Sequence, residues 1–136
     1  MRVGRNLAAG TVFAATALIA CPPVPAEAAD IAKELATAEA HAGYAAAAAE
    51  LKMVQTHLHH VVNCMVGPKG RGFDAGQANP CKDQGDGVMP DFKGDKAKRA
   101  TLQKALDTAR AGLKAADLAA AKQRAADADG LLKSVM

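Results

Sequence analysis

The chain has 136 residues and a formal net charge of +3, with no tryptophan, one tyrosine and three phenylalanines. That charge names no partner, and no basic patch is interleaved with aromatic residues, so nucleic-acid binding is not expected. A core must come from Ala, Leu, Val and Met, which favours close-packed helices over strands built from β-branched and aromatic residues.

Residues 1–28 read as a signal peptide. Arg2 and Arg5 supply the positive start, Leu7 to Ala20 is an uncharged apolar run, and Ala26-Glu27-Ala28 offers small residues for cleavage. The run is too short to span a bilayer comfortably, and no other segment reads as a membrane span. The alternative is lipidation at Cys21, which follows Leu18-Ile19-Ala20, although Pro22 directly after it argues against acylation. Either way the protein is expected to be periplasmic or secreted. Residues 29–136 then form a single helical domain.

A first helix is expected over 30–66. Asp30 is a good N-cap with Glu34 close behind it. Ile31, Leu35, Ala38, Ala42, Ala45 and Ala49 follow a 4-3-4-3-4 spacing that places them on one face. Leu51, Val54, Leu58, Val61 and Met65 extend this stripe with some drift. Gly67-Pro68 gives a stop signal in the usual order.

Within this helix Met53, His57, His60 and Cys64 share a second face, a stripe of metal-competent side chains about a quarter turn from the apolar one. Imidazoles at i and i+3 can grip one ion, and neutral histidine suits copper, nickel, zinc or haem iron. Met53, one turn before His57, adds a soft thioether for Cu(I). The metal-site residues read from sequence are therefore His57, His60 and Met53. On one continuous helix His41 and His59 share a direction but stand about 27 Å apart, so they cannot share an ion and are expected at the surface.

The full chain has three cysteines. Removing or acylating Cys21 leaves Cys64 and Cys81, and export makes a disulfide between them the default. Such a bond takes Cys64 out of the ligand set. It also pins the glycine- and proline-rich stretch 67–94, expected as a long loop whose Phe73, Val88, Met89 and Phe92 pack back onto the helix ends. A loop of this length in a small domain is usually functional or disordered.

Asp95 caps a second expected helix over 95–135, with Leu102, Leu106, Ala109, Leu113, Ala116 and Ala120 in the same rhythm. The predicted fold is all-α: a long antiparallel helical hairpin with a disulfide-pinned loop. Two helices cover each other incompletely, so the hairpin is expected to dimerise to a four-helix bundle.

No Cys-x-x-Cys-His haem attachment, Glu-x-x-His di-iron motif or nucleophile constellation is present, and an enzyme is not expected. An Ala-rich helical chain with an export signal, Ala40-His41-Ala42, and His57 and His60 resembles the bacterial periplasmic small metal-binding proteins. The resemblance covers Asp30 to Cys64 and loosely the second helix, which here has no histidine. It implies scavenging or buffering of copper, nickel or iron. With the histidine pair, the expected function is an exported, non-catalytic binder of a transition metal, copper foremost, or of haem. The alternative from the residues is a structural adaptor that binds another envelope protein through its apolar face and ordered loop.

Overall fold

The structure is a computed structural model that describes residues 29–136. The expected signal peptide and the alternative lipidation site Cys21 lie outside the described residues. Among the described residues there are five helices and no strand: α1 Ile31–Ala47, α2 Leu51–Val66, α3 Val88–Asp91, α4 Lys96–Leu113 and α5 Leu118–Lys133. None is long and apolar enough to cross a membrane.

The expected helix over 30–66 is two helices. The chain leaves helical geometry at Ala48, which is extended (φ −62°, ψ 145°), and re-enters at Leu51 after an extended Glu50. Local propensity opposes this break, since Ala45 to Ala49 is an uninterrupted alanine run. Packing decides it. The stretch after α2 returns to the start of α1: Asp30 donates its N–H to Gln84 O at 2.7 Å, and Gly87 N–H donates to Glu34 Oε1 at 3.0 Å. The end of α2 must therefore lie beside the beginning of α1, which one straight helix forbids.

The expected helix over 95–135 breaks in the same way at 114–117. Asp117 caps α5 by accepting the Ala120 N–H at 2.8 Å, a local signal the sequence does carry. The break also resets the apolar register. Ala116 and Ala120 are exposed, and α5 buries Ala121, Ala125, Ala128 and Leu132 instead. Gly112 sits where the elements crowd, and a Cβ there would stand 2.6 Å from Leu58 Cδ1.

The four long helices pack as a bundle: α1 against α2 and α5, and α4 against α5 and α2. The core holds Leu35, Val54, Leu58, Val61, Met65, Leu102, Leu106 and Leu132. Buried alanines on α1 and α5 (Ala38, Ala42 and Ala45; Ala121, Ala125 and Ala128) let those axes approach closely. The expectation of a dimer rested on two unbroken helices with uncovered stripes. In the structure four helices of one chain bury the stripes assigned to the two long helices.

The loop between α2 and α4 is tied down along its length. Cys64 and Cys81 form the expected disulfide, with Cα atoms 5.2 Å apart. Next to it, the fully buried Asn63 accepts the Asp74 N–H at 2.8 Å and donates to Asp74 O at 2.9 Å and Ala78 O at 3.1 Å. Gly67 (φ +68°) and Gly87 (φ +118°) lie back to back, and a Cβ on Gly67 would stand 1.5 Å from Asp86 O. Val88 and Phe92 are buried, and Phe73 and Met89 pack against the core, as expected. Replacing Cys64 and Cys81 by serine should lower stability by about 3 kcal/mol, the chain-entropy value for a loop of this size. Urea melts of the two forms would show it. An unchanged midpoint would mean that Asn63 and the glycine contacts hold the loop by themselves.

Candidate metal centre

Folding α2 back onto α1 brings His41 to His57 and His60. His41 Nδ1 lies 3.2 Å from His57 Nδ1 and 3.3 Å from His60 Nδ1. One donor nitrogen from each of the three residues falls within 4.8 Å of both others. The placement of His41 at the surface, remote from the stripe, is thus corrected: it is half-buried and central. The misplacement follows from treating 30–66 as one helix. The pairing of His57 and His60 on one face of α2 is as expected.

The histidines are fixed from both sides. On α2 the neighbouring stripe of Val54, Leu58, Val61 and Met65 is fully buried, which locks the rotation of the helix and holds His57 and His60 at the edge of the core. On α1, Ala38, Ala42 and Ala45 do the same for His41. Tyr44, three residues after His41, stacks edge-on against the His41 ring with centroids 5.5 Å apart and lies 5.6 Å from the His57 ring. It is 57% exposed, so it walls one side of the cluster without closing it.

Hydrogen bonding alone does not satisfy this arrangement. A neutral imidazole nitrogen offers either one N–H or one lone pair. His41 Nδ1 faces two Nδ1 atoms and can complete only one donor–acceptor pair with them. A cation placed among the three nitrogens accepts all three lone pairs at once. The spacing fits that role. Bonds of about 2.0–2.1 Å at tetrahedral angles put neighbouring ligand nitrogens about 3.3–3.4 Å apart.

The surroundings of His41 and His60 favour their neutral, metal-competent form. Burial, followed by the facing His60 and His57, pushes His41 down from 6.5 to about 4. Burial, with His57 and His59 nearby, lowers His60. Protons therefore compete poorly for His41 and His60 at neutral pH.

The remaining sequence candidates fall elsewhere. Met53 stays on its face of α2, one turn before His57, and is 44% exposed. Cys64 is in the disulfide. His59 turns away to Asp74, with Nδ1 3.4 Å from Oδ2. The sequence did carry one trace of His41's role. The spacing that starts at Ile31 runs to Ala49 and then slips, because the next apolar residue is Leu51. That slip of phase marks the reversal. No family model, curated protein or solved structure matches the chain.

Proposed function

We propose that this chain binds one transition-metal ion through His41, His57 and His60, as a non-catalytic carrier or buffer exported to an oxidising compartment. The observation that carries the reading is the pair of Nδ1–Nδ1 distances from His41, 3.2 and 3.3 Å, which match two edges of a tetrahedral shell, with all three donors within 4.8 Å of one another. The signal-like sequence and the disulfide support export. Copper is the favoured ion, since an imidazole site holds Cu(II) most tightly along the first-row series, with zinc and nickel behind it. Haem suits the cluster poorly. Two imidazoles on haem iron sit trans across a planar macrocycle, at twice the bond length, whereas these nitrogens crowd together on one side. Met53 is kept as an auxiliary thioether for Cu(I) at the exposed edge. The four helices of one chain complete the bundle, so a monomer is sufficient for this function.

Competition titration with Cu(II), Cu(I), Zn(II), Ni(II) and haem tests the reading. One ion per chain is expected, with affinity tighter than about micromolar and Cu(II) strongest. The part of the pH dependence that His41 sets should be displaced. Binding needs neutral imidazoles, and His41 stays neutral down to about 4. The affinity lost to protonation of His41 should therefore appear as pH approaches 4, and not at the ordinary histidine value near 6.5. A His41→Ala variant with unchanged affinity and unchanged pH dependence would place the ion on other histidines. No binding tighter than about micromolar by any of the metals would pass the function to the adaptor reading.

A further inference from the structure

A groove of about 440 Å³ opens between the end of α2, the loop and α4, away from the three histidines. Its floor is apolar: Val66 and Leu106 are nearly buried, and Met89 packs beside them. Its rim carries Lys69, Arg71 and Arg110 with Asp86, and Arg110 Nη1 also pairs with Asp107 Oδ1 at 3.5 Å outside the lining, which leaves one cation in excess. Arg110 is held in place, because its Nη2 donates to Arg71 O at 2.8 Å and a Cβ on Gly72 would meet that same nitrogen at 3.2 Å. Lys69 Nζ reaches Asp86 Oδ1 at 3.3 Å, with both side chains largely exposed. The groove has the size of a small-ligand pocket, and it combines an apolar bed with a tethered guanidinium and an exposed ammonium in its lining.

We propose that this groove is a second binding site, independent of the metal centre, for an aliphatic carboxylate. The hydrocarbon body lies on Val66, Leu106 and Met89. The carboxylate takes donors from Arg110 and Lys69, whose geometry and charge it complements. The excess of cations at the rim selects against amines and disfavours neutral chains. The disulfide and Asn63 keep the loop wall in place, which gives this long ordered segment a use.

Calorimetric titration of the protein with octanoate, octanol and octylammonium, combined with methyl NMR, tests the proposal. Octanoate should bind once per chain and shift the resonances of Val66, Leu106 and Met89. Octanol should bind about tenfold more weakly and octylammonium not measurably, given the strength of charge-assisted hydrogen bonds. Arg110→Gln and Lys69→Gln should each weaken octanoate by about tenfold. Asp86→Asn should strengthen it, a change of opposite sign that a merely structural role would not produce. Lys69 is exposed and carries no packing, so its variant decides the matter if Arg110→Gln is unstable. Equal binding of octanol and octanoate would overturn the proposal. So would shifts confined to other methyls, or no saturable octanoate binding.

Discussion

His41→Ala should abolish tight metal binding as fully as His57→Ala or His60→Ala, while His59→Ala leaves it nearly intact. Each of the first three removes one corner of a three-nitrogen shell. Even outer-shell partners of a metal are worth about 10–100-fold in affinity, so loss of a direct ligand should cost at least about 100-fold. His59 engages Asp74 and offers no nitrogen to the cluster. Met53→Leu should preserve Cu(II) and Zn(II) affinity and weaken only Cu(I), because only the soft thioether is lost. Competition titration of the five variants separates the outcomes. Equal losses from all four histidine variants would indicate diffuse surface binding. A harmless His41→Ala would refute the three-histidine centre and return the site to α2 alone. The same variants carry a structural check. Uncrowding the cluster should leave the apo protein no less stable near pH 5, since His41 and His60 are held below their ordinary value by burial and mutual repulsion.

Glu34→Gln should stabilise the protein strongly at pH 8 and hardly at all at pH 4. Glu34 is fully buried where the loop meets α1. Its Oε1 accepts the Gly87 N–H, and its Oε2 has no partner among the described residues. Burial raises its pKa from 4.5 to about 7. The Gly87 N–H opposes that rise, and Asp91, Asp86 and Asp30 add to it. The folded state thus holds the proton more tightly than the unfolded chain. Below pH 4.5 both states are protonated and nothing is lost. Between 4.5 and about 7 stability falls as pH rises, and above that the full penalty applies. At about 1.4 kcal/mol per pH unit the penalty reaches about 3 kcal/mol. Glutamine keeps the acceptor for Gly87 and removes the charge, so the variant should recover most of that at pH 8. The shift in melting temperature would be of the order of 10 °C. His41 and His60 act in the opposite direction: both are lowered, so stability is withdrawn as pH falls below 6.5, for His41 down through about 4. Both proteins share that loss, so the difference between their melts isolates Glu34. A variant destabilised equally at pH 4 and pH 8 would mean that Glu34 is held by shape and not by its proton.

Glu34 also illustrates what sequence reading misses. As a residue in the first turn of a helix behind an Asp cap, it suits an exposed carboxylate near the helix dipole. Only the return of the loop, which sets Gly87 against it, makes it a buried acid. Asn63 is similar. Nothing in its neighbours marks it as the residue that sets the path of 74–78, because its partners lie 11 and 15 positions further along.

The properties legible in the sequence are those governed by short range or by elimination. Helix faces follow from spacings of three and four residues, and Val54, Leu58, Val61 and Met65 are buried as that rule requires. The caps at Asp30 and Asp95 form as read, each accepting an N–H three residues on. The Cys64–Cys81 bond follows from having one pair left. The tertiary structure alone decided where the helices end. At 48–50 an alanine run with every local reason to stay helical turns back, because α2 packs its apolar face most extensively against α1 and because the loop must reach Asp30 and Glu34. That reversal converts the distance between His41 and the pair on α2 from several helical turns to 3.2–3.3 Å. Ligand spacing along one helix can be counted from sequence. Ligand spacing across two depends on where the chain folds back, and here packing set that position against local propensity.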